Sequence, residues 1–95
     1  MANSHHIAAR RIARIYGCKY RRSKSPDVKC PGIRVEIKSR AGEIPTALRQ
    51  VGGGSGDAFI ALPKREHPEA LRRLRSRKTG LMNYRGKVIK PSTRK

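Results

Sequence analysis

The sequence predicts an α/β fold in which a small mixed sheet containing an antiparallel hairpin is flanked by helices. Residues 27–30 and 33–38 alternate apolar and polar side chains about Pro31-Gly32, a turn signal between two strands. Residues 58–62, Ala-Phe-Ile-Ala-Leu, are continuously apolar, as expected of a strand covered on both faces. Three further segments carry apolar residues at helical spacing before, between and after these strands.

The first helix is expected over residues 5–16, capped by Ser4 and stopped by Gly17, with Ala8, Ile12, Ile15 and Tyr16 on its inner face. Residues 18–22 read as a short strand and 23–26 as a polar connection. In the hairpin, proline at position 31 cannot take the positive φ of the favoured two-residue turns, which leaves a four-residue loop as the alternative. Either symmetric loop gives the same register. Cys30 then meets Ile33 and Val28 meets Val35 on one face, while Lys29 meets Arg34 and Asp27 meets Glu36 on the other. A second helix is expected to start near Pro45 and bury Ile44, Ala47, Leu48 and Val51, before the glycine-rich residues 52–56 end it as a linker. No Lys-Ser/Thr follows these glycines, which argues against a phosphate-cradling loop. Residues 58–62 are expected to form the central or second core strand. The third helix, over residues 68–75, places Ala70, Leu71 and Leu74 inward. After a domain expected over residues 1–80 the pattern weakens: within 81–95, residues 81–89 are expected to form a short hairpin about Arg85-Gly86 and residues 90–95 a basic tail, mobile when free.

Composition narrows the partner. A chain of 95 residues buries a modest core, so a homodimer is expected. Lysine and arginine number 24 against six acids, a formal charge of +18 that repels itself until an anion neutralises it. Nucleic acid is the expected counter-charge, because each phosphate contact releases counterions. A membrane is disfavoured: no apolar run approaches spanning length, and no helix pairs a bulky apolar face with a basic one. Without a signal-like apolar start, the chain reads as a soluble cytoplasmic protein. Cys18 and Cys30 lack a close second thiol or histidine for zinc and read as plain core residues. Expected phosphate contacts are Arg10, Arg11, Arg14, Arg21, Arg22, Lys24, Arg34, Arg40, Arg72 and Arg73.

With so few acids, their placement is informative. Directly opposed residues on antiparallel strands have β-carbons about 5 Å apart, so Asp27 and Glu36 are close enough to share one divalent cation. Lys38, two residues beyond Glu36, projects from the same face. Magnesium takes carboxylate oxygens, keeps several waters and accepts a phosphate. A lysine beside it can orient or deprotonate a water or stabilise charge on phosphorus. The blander alternative is a turn-forming Asp27 and a Glu36 paired with Arg34 or Lys38 on a solvated face.

Pro26-Asp27 followed by Glu36-Ile37-Lys38 resembles the motif of the PD-(D/E)XK nuclease superfamily, which includes restriction enzymes and Holliday-junction resolvases. The order of elements over residues 5–75 is also similar to the core of that superfamily, and the chain looks most like small phage-encoded or resolvase-like members. The resemblance implies a restriction-endonuclease-like core, within residues 1–80, that cleaves DNA with Mg2+ or Mn2+. If the chain is phage-encoded, its compartment is the host cytoplasm. Asp27 and Glu36 are then metal ligands, Ile37 contributes its carbonyl, Lys38 is the catalytic lysine and Gln50 is an auxiliary residue of the second helix. Many relatives carry a first-helix glutamate where this chain has Ala9, leaving His5, His6 or a second subunit to replace it. The competing expectation is a non-catalytic nucleic-acid-binding protein, ribosomal or nucleoid-like.

Overall fold

In a computed structural model of the chain, which describes residues 4–18, 20, 27–52 and 56–93, the hairpin adopts the register that one-sided burial requires. Its strands are β1 (Val28–Cys30) and β2 (Ile33–Ile37). Cys30 pairs with Ile33, Lys29 with Arg34 and Val28 with Val35. The turn is the two-residue one, because Gly32 takes φ +78° and lets proline precede it, as in a type II turn.

The remaining elements are α1 (Ser4–Ile15), α2 (Ile44–Val51), β3 (Asp57–Ala61), α3 (His67–Leu74), β4 (Gly80–Met82) and β5 (Val88–Lys90). All five strands lie side by side in chain order, with β3 at the centre. The β1–β2 and β4–β5 pairs are antiparallel, whereas β2–β3 and β3–β4 are parallel. Each parallel connection passes through a helix. Two crossovers of the same hand that step in the same direction place both helices on one face. α2 and α3 accordingly pack with Ile60, Leu62 and Leu81, while α1 packs on the opposite face with Val28, Val35, Ile37, Phe59 and Met82. The protein is therefore a small α/β fold with a five-stranded mixed sheet between two helical layers.

Several expectations need correction. Ala8, Ala9, Ile12 and Ala13 form the buried stripe of α1, and Ile15 is exposed. Leu71 is also exposed; His67 joins Ala70 and Leu74 on the buried side of α3 and bonds the Leu62 carbonyl at 2.8 Å. Both misassigned residues sit at the margin of an apolar arc, where a step of 100° per residue decides inside from outside. Ser4 is the first residue of α1, and its side chain, on which the expected cap depends, lies outside the described residues. So do most of the strand expected at 18–22 and part of the glycine linker, although Tyr20 makes a bridge to Val28.

Cys18 and Cys30 are not separate core thiols but a disulfide, with Cα atoms 5.3 Å apart. It ties the chain leaving α1 to β1, a closure worth about 3 kcal/mol for a loop of this size.

The division expected at residue 80 does not coincide with a structural boundary. β4 lies inside the sheet, and both Leu81 and Met82 are fully buried. The expected hairpin forms as β4–β5 around an Asn83 turn, whose side-chain oxygen accepts the N–H groups of Arg85 and Lys87. Nor is the segment after Lys90 loose as far as Thr93. Ser92 Oγ accepts the Ala58 N–H at 3.1 Å, and the Thr93 N–H donates to the Lys78 carbonyl at 2.8 Å. Among the described residues, no helix is long and apolar enough to cross a membrane.

Gly80 shows how closely the sheet is packed: a β-carbon there would meet the Lys90 carbonyl at 2.5 Å and the Phe59 ring at 2.6 Å. Phe59 is its cross-strand partner and lies over the space the missing side chain leaves. Gly80→Ala is expected to destabilise the protein by roughly 1–3 kcal/mol in urea unfolding, whereas Gly42→Ala, which meets nothing within 4 Å, should stay within about 0.5 kcal/mol of wild type.

Candidate active site

The alternation that buries Val28, Val35 and Ile37 beneath α1 turns the intervening side chains of β2 away from that helix. Asp27, just before β1, lies opposite Glu36 by continuation of the hairpin register. The two acids are joined reciprocally. Glu36 Oε1 accepts the Asp27 N–H at 3.1 Å, and Asp27 Oδ2 accepts the Ile37 N–H at 2.9 Å. Lys38, the first residue past β2, brings Nζ to 3.6 Å from Glu36 Oε2. The first turn of α1 contributes His5, whose Nε2 is 3.3 Å from Asp27 Oδ2.

The cluster is poorly hydrated at its centre. The Glu36 side chain is 4% exposed and the Lys38 side chain 15%. Burial, followed by the charge of Asp27, pushes the Glu36 carboxyl from 4.5 up to about 7, outweighing the Asp27 N–H and Lys38, which favour its ionised form. Two adjoining acids and one lysine share this site, where burial and the charge of Asp27 both favour the protonated form of Glu36.

Lys38 is also held through its backbone. Its N–H donates to the Ala61 carbonyl at 3.0 Å, and its own carbonyl accepts the Tyr84 hydroxyl at 2.5 Å. Tyr84 is the component that the sequence pattern did not single out. It lies 46 positions from Lys38 in a turn, where no periodicity connects the two. Burial raises the Tyr84 phenol above its ordinary value, keeping it a donor.

No family model, curated protein or solved structure matches this chain. The site must therefore be read from its geometry.

Of the residues expected from the sequence, Asp27, Glu36, Ile37 and Lys38 are brought together, and His5 joins them. His6 turns elsewhere, with Nδ1 2.5 Å from Tyr20 Oη, and Ala9 is sealed in the core beneath α1. Gln50 is half-buried on α2, the helix packed against β2 and β3. Arg34 is 5% exposed and belongs to the interior, which corrects its assignment as a surface phosphate contact. Arg10, Arg11, Arg14 and Arg40 are exposed. Arg72 and Arg73 are exposed too, and both pair with Glu69. Arg21, Arg22 and Lys24 lie outside the described residues. Among the described residues, no three histidine, cysteine or carboxylate groups are arranged to hold a metal; one oxygen of each acid is turned onto a backbone amide.

Glu36 binds its proton more tightly in the folded protein than in the unfolded chain. Its favourable contribution is therefore complete below pH 4.5 and lost as the pH rises through about 7. Urea unfolding in chelator is expected to show stability falling by roughly 2 kcal/mol between pH 5 and pH 8. Glu36→Gln should flatten this dependence, and a wild-type profile that is flat or rises would contradict the assignment.

Proposed function

We propose that the protein is a metal-dependent endonuclease that hydrolyses DNA phosphodiester bonds, with a restriction-endonuclease-like core of the PD-(D/E)XK type. The observation that carries this reading is the contact between Asp27 and Glu36, with Lys38 Nζ 3.6 Å from Glu36, in a chain of net charge +18. Phosphate binding does not itself call for two acids brought together beside a lysine in so basic a chain.

The donor set suits magnesium or manganese. Such an ion needs only one or two protein carboxylates and fills its remaining positions with water, substrate phosphate or a backbone carbonyl such as that of Ile37. Asp27 and Glu36 would hold it; burial, with the charge of Asp27 added, raises the Glu36 pKa, and a dication would offset both. When bound, the ion supplies Lewis acidity to the phosphodiester and lowers the pKa of a coordinated water.

Lys38 has the protein's part in the chemistry: its ammonium orients the attacking water and stabilises the charge that builds on the non-bridging phosphate oxygens. The Tyr84 hydroxyl fixes the backbone of that lysine, and Glu36 fixes its amine. His5, at Asp27, takes the place of the missing first-helix acid as a residue that orients the carboxylate or a water. Gln50 is an auxiliary residue of α2. Exposed Arg10, Arg11, Arg14 and Arg40 supply sequence-independent phosphate contacts, so selectivity comes from DNA shape. Branched DNA, including a Holliday junction, suits a two-fold homodimer acting in the cytoplasm, or in the host cytoplasm if the chain is phage-encoded.

One observation favours a second reading. Both acids also accept backbone N–H groups, so they could serve only to clamp the open end of the hairpin in a non-catalytic nucleic-acid-binding protein. Lys38→Ala separates the two, because neither backbone bond of that clamp involves Lys38. The variant is expected to lose at least about a hundredfold in cleavage of duplex, nicked or four-way DNA with manganese, while its salt-sensitive DNA binding changes little. If wild-type protein binds these DNAs but cuts none with either metal, the binding-only reading stands.

A further inference from the structure

Joined to Lys38 through Tyr84 is an open cleft of about 460 Å³ lined by Pro63, Lys64, Asn83, Tyr84 and Arg85. It opens at the carboxyl ends of two parallel strands, since Pro63 and Lys64 follow β3 and Asn83, Tyr84 and Arg85 follow β4. Tyr84 forms the wall shared with the candidate active site: it lines the cavity and donates its hydroxyl to the Lys38 carbonyl.

The lining selects the chemistry of the occupant. Lys64 and Arg85 are exposed cations, and none of the five lining residues is acidic. Of the nearby carboxylates, Glu43 is the weakest of the influences on Tyr84, and Glu66 is engaged by the Ala41 N–H and Arg65. The turn carrying Arg85 is built before any ligand arrives. Asn83 holds it through two side-chain bonds and two backbone bonds, and the Tyr16 hydroxyl donates to the Gly86 carbonyl at 2.9 Å. Two cations beside a half-buried aromatic ring suit an anion that also carries a flat ring. The cleft is of a size for a small-molecule-sized group such as one nucleotide.

We propose that this cavity seats one unpaired nucleotide next to the phosphate cleaved at Lys38, with Lys64 and Arg85 on its backbone and Tyr84 against its base. The proposal rests on the nuclease reading for the position of the cut and deepens it. The preferred DNA has a single-stranded nucleotide beside the scissile bond, as at a flap or branch, and fully paired DNA leaves the cavity unfilled.

The test uses the full chain in chelator, so that binding is read without cleavage, and compares a duplex bearing a single-stranded flap with a blunt duplex of equal length. Lys64→Ala/Arg85→Ala replaces two exposed side chains and should fold. It is expected to weaken flap binding about tenfold and to lower the salt slope of log affinity by about 1.4, the value for two lost single-strand phosphate contacts. Blunt-duplex binding should change by less than about threefold. Equal losses on both DNAs, or no loss on either, would overturn the cavity assignment. The nuclease reading is judged separately, by whether wild-type protein with manganese cuts the flap substrate at all.

Discussion

The register of β1 against β2 is the constraint from which the rest of the molecule follows. With a side-chain period of two, the pairing that buries Val28 against Val35 beneath α1 leaves Asp27 facing Glu36 and sends Lys38 out beside them. A slip of one residue would bring the acids under α1 and put valines in their place. The same hydrophobic force that attaches the helix therefore sets the spacing of the polar cluster. The bonds from Glu36 to the Asp27 N–H and from Asp27 to the Ile37 N–H close the open end of the hairpin, so strand pairing and side-chain placement support each other.

Electrostatically the molecule has two scales. Over its whole surface it is strongly cationic, a field that concentrates polyanions regardless of their sequence. At the end of the hairpin it gathers two of its six acids, where burial and then the charge of Asp27 disfavour the ionised form of Glu36. The two scales have different roles. On the nuclease reading proposed above, the broad field would draw in a phosphate backbone and the local acids would hold a metal ion at one point along it.

What could be read from the sequence depended on how local the determining interactions are. The hairpin register and the central position of β3 were legible because each is written in consecutive residues, as alternation in one and as a continuous apolar run in the other. The helices were legible as elements, but their phase was not, and Ile15 and Leu71 lie outside because the rotation of a helix is set by the sheet beneath it. Similarly, Arg34 belongs to the polar face of the hairpin by pattern, and it is buried because β2 pairs with β3 on its other side and packs against α2. The disulfide and the Tyr84–Lys38 bond depend on chain segments meeting across the fold, which neither cysteine spacing nor tyrosine position encodes. The nearness of His5, rather than His6, to Asp27 likewise reflects how α1 lies on the sheet. The disulfide also bears on compartment: in a reducing cytoplasm the two cysteines would be kept as thiols, so the protein proposed to act there is the reduced form, in which packing of α1 on β1 holds the two segments together.

Strands lying side by side in the order of the chain have a temporal meaning. As the polypeptide leaves the ribosome, each new strand finds its neighbour already made and only has to add to an exposed edge. His5, Asp27, Glu36 and Lys38 can thus gather while the last third of the molecule is still being synthesised. Tyr84 arrives last and latches the lysine only when the sheet is nearly finished. A nascent chain would hold the acids early and acquire a firmly seated lysine late, so the order of synthesis itself delays completion of the site until the surrounding fold is in place.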